Sequence, residues 1–448
     1  MSETLEQKLC KRSRGYFFIR NFLVRPAIYL FYRKIDVIGA KDVPDEGPVI
    51  FTPNHQNALM DALSVLCTKD RQPVFVARAD IFQKPLIRSI LHFLRILPIY
   101  RKRDGGISSD NNKETFDLIL KVLDSRHAVG IMPEGTHNQF KRLQMLQKGV
   151  FRMAMQVQEK HGAAPTVKII PVGLEYTCNS KFRSGLTVRY GKAIELSDFY
   201  DTYVENSAKA YKQMQDVLME KMREGMIDIT DELYYSEIER LRVLYQKRAT
   251  QKLGLDFRNA EHRLQAQQKT VAVLQDYAKS NSGEMSSFCG TVRDYLTILQ
   301  KHNLRDWVIE RQPYYPAGLA GRCILAIGGL PLWLLGMLFN YLPYRMSAFA
   351  SRKIKDPQFV SSVQFVAGLV LYPLYYIIVI VLTAIFIPCI WGKLLMPLLI
   401  IPSGLFAFKY YISMKKLGAR FRFRLNRKEL HKAVELRKTV FDKMDGIF

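Results

Sequence analysis

The chain has 448 residues, 48 % apolar and 24 % charged, a composition that excludes wholesale disorder and allows one large core or two modest ones. A formal charge of +25 does little for folding but attracts polyanions: nucleic acid, anionic lipid headgroups or phosphorylated substrates. Six cysteines (Cys10, Cys67, Cys178, Cys289, Cys323, Cys389) follow neither C-x-x-C nor metal-ligand spacing, so they are expected to be reduced, buried thiols, with no zinc site and no disulfide.

The opening MSETLEQKLCKRSRG has no apolar core before a small-residue cleavage site, so no signal peptide is expected. Residues 16–32, YFFIRNFLVRPAIYLFY, are aromatic and apolar but carry Arg20 and Arg25 and are interrupted by Pro26. That charge suits a membrane span of about 20 apolar residues poorly. Residues 1–34 are therefore expected to form an interfacial anchoring helix, with basic residues at the headgroups and aromatics at the acyl boundary.

Between 35 and 200, KIDVIGA, GPVIFTPNH, PVFVARA, AVGIMPEGT and VKIIPVGLEY read as strands, while 59–69, 84–97, 113–124 and 147–159 suit helices. The alternation predicts an α/β domain with a mixed central sheet flanked by helices, its site at the C-terminal ends of strands. Residues 201–315 are rich in Glu, Gln, Lys and Arg and predict a helical insert. There Asp228 or Thr230 would cap a helix through DELYYSEIERLRVLYQKR. Phe288, Val292, Tyr295, Leu296 and Leu299 fall on one helical face.

Residues 316–412 predict a membrane region. CILAIGGLPLWLLGMLFNYLP is broken by Gly328, Gly329 and Pro331, and is expected to be re-entrant or interfacial. FVAGLVLYPLYYIIVIVLTAIFIPCIW and LLMPLLIIPSGLFAFKYYI are long and uncharged enough to form a C-terminal transmembrane hairpin. The 344–358 loop carries four Lys/Arg against Asp356, the tail 413–448 eleven against four Asp/Glu, and the 391–393 turn only Lys393. The positive-inside rule then puts loop, tail and basic α/β domain on the cytoplasmic face, which requires an even number of crossings.

Four clusters carry chemistry. Asn54-His55…Asp61 follows the strand VIF. An imidazole titrates near neutrality and can take a hydroxyl proton, while a carboxylate on its other nitrogen fixes the tautomer. Five intervening residues form a turn long enough to join the pair. On its own such a pair is more often a structural hydrogen bond. Ile131-Met132-Pro133-Glu134-Gly135-Thr136 follows the strand AVG and makes a tight turn whose amides can face an oxyanion or phosphate. Arg78, Arg101, Lys102, Arg103, Lys148 and Arg152 suit a phosphate monoester, although singly each reads as a solvated charge. Pro171-Val172-Gly173 ends the strand KII and reads equally well as ordinary punctuation.

In this order NHQNALMD, ILPIYRKRD, MPEGT and IIPVG resemble the four motifs of the glycerolipid acyltransferase superfamily, over about residues 45–180. Three departures stand out. Five residues, not the usual four, separate His55 from Asp61, as in the fungal-type glycerol-3-phosphate acyltransferases. His137 and Asn138 replace an arginine and serine after Thr136. Leu97-Pro98-Ile99-Tyr100 replaces the usual glycine and phenylalanine before Arg101. The resemblance implies His55 as general base oriented by Asp61, direct attack of an acceptor hydroxyl on an acyl thioester, and an oxyanion held by amides of the two motif turns. It implies an acceptor phosphate bound by Arg78, Arg101, Arg103 and Arg152 with Lys148 in support, and an acceptor site ordered by Glu134, Gly135 and Thr136. The thioester would be acyl-CoA or acyl carrier protein, the acceptor glycerol 3-phosphate or lysophosphatidate, with no metal or other cofactor. Two rivals remain: a non-catalytic scaffold binding anionic lipid, and a nucleic-acid binder suggested by charge alone.

Overall fold

The structure is a computed structural model that describes residues 4–100, 109–164 and 166–448. The chain divides into two compact units: Met1–Asp228 with Ile354–Ser362, and Ile229–Lys353 with Val363–Phe448.

The first unit holds a mixed sheet of β1 (Lys34–Ile38), β2 (Val49–Pro53), β3 (Val74–Arg78), β4 (Ile96–Ile99), β5 (Ala128–Gly130), β6 (Lys168–Tyr176), β7 (Gly185–Tyr190) and β8 (Ile194–Glu195). Their order is β1-β7-β6-β2-β5-β3-β4, with β8 beside β6. Strands β6, β2, β5, β3 and β4 run parallel, while β7 and β8 run antiparallel to β6. Central β2 is buried along its whole length, and its Val-Ile-Phe run is what two covered faces require. The sheet is flanked by α4 (Leu59–Thr68), α5 (Pro85–Phe93), α6 (Ser109–Asp124), α7 (Gly149–Glu159), α8 (Tyr200–Glu205) and α9 (Ser207–Gly225). Gly173 lets α9 end against β6: a Cβ there would lie 1.9 Å from the Gly225 carbonyl oxygen.

Two expectations for this unit are corrected. The helix expected over 84–97 stops at Phe93, because Arg95 takes a positive φ of 60° and Ile96–Ile99 pairs with β3 as β4. Arg95 is buried and donates to the carbonyls of Lys8, Leu9 and Lys11. At the N-terminus, α1 (Leu5–Leu9), α2 (Arg14–Ile19) and α3 (Arg25–Phe31) leave Phe17, Phe18, Phe22 and Tyr29 exposed, an apolar face suited to an interface. Arg20 does not reach headgroups. It is 1 % exposed, donates to the Leu66 carbonyl at 2.8 Å and pairs with Asp70 at 2.6 Å.

The second unit holds α10 (Tyr235–Lys252), α11 (Ala260–Ser280), α12 (Ser282–Lys301), α13 (Asp306–Glu310) and α17 (Arg427–Ile447), with three long apolar helices: α14 (Pro316–Ala350), α15 (Pro357–Phe386) and α16 (Ile390–Leu425). The first turn of α15 counts with the first unit. Neither Asp228 nor Thr230 caps α10. Asp228 accepts from Leu143 N and Arg223, Thr230 bonds Gln275, and Asp231 accepts from Tyr234 N just before the helix. The predicted face of α12 is packed: Tyr295 and Leu299 share a core with Phe423, Leu430 and Ala433. The stretch read as a basic tail is thus helical and folded onto the insert, with Arg437 on Asp306.

Helix α14 runs unbroken through Gly328, Gly329 and Pro331, against the expected interruption. Its glycines serve close packing: a Cβ on Gly336 would lie 2.2 Å from the Ser403 carbonyl oxygen, and one on Gly329 would lie 3.0 Å from the Tyr410 ring. Asn340 ties the three helices, donating to the Gly336 and Ile400 carbonyls and accepting from Tyr376 OH. All three are long and apolar enough to cross a membrane. The cysteines are less uniform than expected: Cys67 and Cys289 are buried, and Cys389 is exposed.

Candidate active site

The site lies where β2, β5 and β6 end or bend. Asn54, fully buried, leaves β2 by exchanging hydrogen bonds with the Leu174 backbone of β6: N–H to Oδ1 at 2.6 Å and Nδ2 to O at 3.2 Å. This fixes where the next residue, His55, departs.

His55 Nδ1 lies 2.9 Å from Asp61 Oδ2, and the carboxylate is fully buried in the first turn of α4. Oδ2 also accepts from Gln56 N at 2.9 Å and Asn57 N at 2.7 Å, while Oδ1 accepts from Tyr176 OH at 2.7 Å. Burial and the Asp61 charge push ionisation of the Tyr176 hydroxyl well above its ordinary range, so it stays a donor. An acceptor-only oxygen facing Nδ1 places the ring proton there and leaves Nε2 with the free lone pair. The turn closes because Ala58 takes φ 45°, a conformation rare outside glycine. The Gln56 side-chain amide is buried with no partner among the described residues.

Glu134, 3 % exposed, joins the two motif turns. Its Oε1 accepts from His55 N at 2.8 Å and its Oε2 from Gln144 N at 3.0 Å. Burial raises its carboxyl to about 7, outweighing the two amides that favour the ionised form. Gly135 turns the chain at φ +67°, with Thr136 half-buried after it. The amides of His55, Gln56, Asn57, Gly135 and Asn138 are all engaged internally, so the expected oxyanion donors are not these five.

Sequence reasoning missed the groups that arrive from far along the chain. Tyr176 holds Asp61 from β6. His137, noted only as a departure, stands edge-on to His55 with ring centres 5.0 Å apart and Nδ1 3.3 Å from His55 Nε2. Segment 354–362 supplies Phe359 against the His137 ring at 4.8 Å, Asp356 at 3.8 Å from its Nε2, and Ser361 donating to Asn57 Oδ1 at 2.6 Å. No local pattern in the sequence marks that segment.

The basic residues are not gathered in the same way. Arg78 ends β3 but holds Asp80 through two bonds, Nε to Oδ1 at 3.1 Å and Nη2 to Oδ2 at 2.6 Å. Lys148 and Arg152 are exposed at the start of α7, next to the glutamate turn through Gln147 N on the Pro133 carbonyl at 2.7 Å. Arg101, Lys102 and Arg103 lie outside the described residues. Among the described residues no cluster of three His, Cys, Asp or Glu has metal-binding geometry.

A family profile described as Acyltransferase matches residues 34–175. Glycerol-3-phosphate O-acyltransferase 1 of Saccharomyces cerevisiae is 25 % identical over 281 residues, 58 % of this chain and 36 % of that protein. A 1-acyl-sn-glycerol-3-phosphate acyltransferase of Borreliella burgdorferi is 27 % identical over 177 residues, 38 % of this chain and 65 % of that protein. The mouse 1-acyl-sn-glycerol-3-phosphate acyltransferase alpha is 28 % identical over 154 residues, 34 % of this chain and 50 % of that protein. The chain thus spans between 36 % and 65 % of these relatives' lengths. The crystal structure of a 1-acyl-sn-glycerophosphate acyltransferase from Thermotoga maritima is similar at 16 % identity and a TM-score of 0.33, over 48 % of this chain and 86 % of that one. With four motifs in order and the profile on the same stretch, residues 34–175 are an acyltransferase domain of the glycerolipid acyltransferase superfamily.

Proposed function

We propose that this chain is a membrane-bound enzyme of phospholipid biosynthesis that moves a fatty acyl group from acyl-CoA or acyl carrier protein to a hydroxyl of glycerol 3-phosphate. Lysophosphatidate is the second acceptor in line, since it also presents a phosphate and a free hydroxyl. The lean to glycerol 3-phosphate follows the five-residue His–Asp spacing, and the yeast relative is named for that activity.

The observation that carries the reading is the immobilised His55–Asp61 pair, with four donors fixing the carboxylate and one imidazole lone pair left over. Nε2 takes the proton of the acceptor hydroxyl as its oxygen bonds the thioester carbonyl carbon. The tetrahedral intermediate collapses, the carbon–sulfur bond breaks, and His55 returns the proton to the leaving thiolate. Asp61 holds the tautomer throughout and stabilises the imidazolium. No acyl-enzyme forms. Glu134, Gly135 and Thr136 shape the acceptor side. Arg78, Arg101, Arg103, Lys148 and Arg152 receive the phosphate, which must displace Asp80 from Arg78.

The catalytic domain faces the cytoplasm, and the membrane region makes an even number of crossings. The parity is what we propose, not the identity of the crossing helices.

The test is acyl transfer by the detergent-solubilised full chain, with labelled acyl-CoA offered against each acceptor, for wild type and His55→Ala. Transfer to one acceptor that the alanine abolishes supports the reading. Activity that survives the alanine removes His55 from the mechanism. Failure with both acceptors and both donors would leave an anionic-lipid scaffold as the better account.

A further inference from the structure

The nitrogen that must receive the acceptor proton is already occupied. With Asp61 holding the proton of His55 on Nδ1, Nε2 can only accept, so the 3.3 Å contact from His137 Nδ1 is a donated N–H. Phe359 stands edge-to-face with the His137 ring at 4.8 Å, and the backbone is pinned by Asn138 N on the His55 carbonyl at 3.1 Å. The segment carrying Asp356 and Phe359 is fastened to the His55 turn by Ser361 and Ser362, which donate to Asn57 Oδ1 and O.

We propose that His137 is a positioning residue: its N–H caps the base nitrogen of His55 in the substrate-free site, and the acceptor hydroxyl must displace it. Phe359, from the segment that opens α15, holds the ring in place. The proposal rests on His55 being the base, and it assigns a role to the residue that departs from the family motif. A hydroxyl arriving at Nε2 exchanges one hydrogen bond for another, so the cap weakens acceptor binding more than it slows the chemical step. The effect belongs to the free enzyme, and therefore to kcat/KM and not to kcat.

The experiment compares wild type, His137→Ala, His137→Asn and Phe359→Ala. Asparagine places an amide N–H near the position of Nδ1. Steady-state acyl transfer is followed against acceptor concentration, and carbethoxylation of the His55 peptide by diethyl pyrocarbonate is followed by mass spectrometry. In His137→Ala the acceptor KM is expected to fall roughly 3- to 10-fold, the range of one net hydrogen bond, with kcat changed less than about 3-fold. His55 is modified several-fold faster. His137→Asn restores both, and Phe359→Ala shifts both the same way by less. Unchanged KM and modification rate in His137→Ala would overturn the proposal. So would equal losses of kcat in the alanine and asparagine variants with KM unmoved, since that is the signature of a merely structural role. The modification rate reports the cap even if the wild type transfers no acyl group, so failure of the functional reading and failure of the cap are separable.

Discussion

Replacing Glu134 by glutamine removes a proton-binding group while keeping the volume of the side chain. In the folded chain this carboxyl is raised from 4.5 to about 7, because burial outweighs the two amides that point at it. A folded value above the unfolded one means the group's stabilising contribution is complete below the unfolded value and is lost as pH rises through about 7. The shift corresponds to about 3 kcal/mol. Glutamine does not titrate, so the wild-type minus glutamine difference isolates the effect from every other group. It should shrink by about 3 kcal/mol between about pH 4.5 and about pH 8. At roughly 2–4 °C per kcal/mol for a unit of this size, that is about 6–12 °C in the difference of melting temperatures, measured in detergent at each pH. Glutamine also turns an N–H toward one of the two backbone amides, which costs about 1–3 kcal/mol at every pH. A difference that stays flat across pH would refute the reasoning, since it would mean that the amides and not burial control this carboxyl.

Asp61→Asn should preserve the fold and the ring tautomer, because the amide oxygen can still meet Gln56 N, Asn57 N and His55 Nδ1. It removes the charge facing the imidazolium, worth up to about 4 kcal/mol at contact distance, so kcat should fall by about 10²–10³. A loss under threefold would sink the role given to Asp61. The Arg78–Asp80 pair is half-exposed and worth about 1 kcal/mol at most, so Asp80→Asn should lower the acceptor KM by no more than about 5-fold, while Arg78→Gln should raise it. If neither variant moves KM, Arg78 lies outside the acceptor site. Gly173→Ala should cost about 3 kcal/mol or more in thermal unfolding, since its Cβ would meet backbone 1.9 Å away and backbone cannot step aside as a flexible side chain would. A near-neutral alanine would show that α9 does not close on β6 as described.

The parts of the site that were legible in the sequence are those whose signal is local. A β-rich run followed at once by a polar turn located Asn54-His55 after β2 and Pro133-Glu134-Gly135 after β5, and both turns meet at the Glu134 carboxylate. β4 was hidden because ILPI extends an apolar run that also suits a helix, and only Arg95, turning at positive φ with its guanidinium on three carbonyls, separates the two. Arg20 misled in the opposite sense. A charge in an aromatic run reads as a headgroup contact, whereas the helix buries it on Leu66, Lys69 and Asp70, partners about fifty residues away. Gly328 and Gly329 were read as an interruption because propensity is a backbone property, while the packing of Gly329 against Tyr410 and Phe406 is a tertiary one. Tyr176 and Ser361 reach the His55 turn, and Phe359 reaches His137, across gaps of more than a hundred residues, where no periodicity carries information.

The extra residue between His55 and Asp61 is taken up by the backbone. The turn wraps the carboxylate closely enough for the amides of Gln56 and Asn57 to reach the same oxygen as the imidazole, and Ala58 absorbs the surplus length at φ 45°. The His–Asp distance is an ordinary 2.9 Å, so the longer spacing leaves the proton-transfer geometry as a shorter turn would have it. On the proposed mechanism the spacing is then a resemblance to the fungal-type enzymes and not the cause of any preference between acceptors. Either proposed acceptor would bring a hydroxyl to His55 Nε2, and the two differ in what surrounds that hydroxyl: a small polar diol phosphate in one case, an acyl ester in the other. The groups placed to sense the difference are those around Nε2, namely His137 and the apolar ring of Phe359 behind it. On the proposed mechanism, discrimination between the two acceptors is therefore expected at the outer face of the histidine, where His137 departs from the motif, and not at the inner face, where the turn takes up the extra residue.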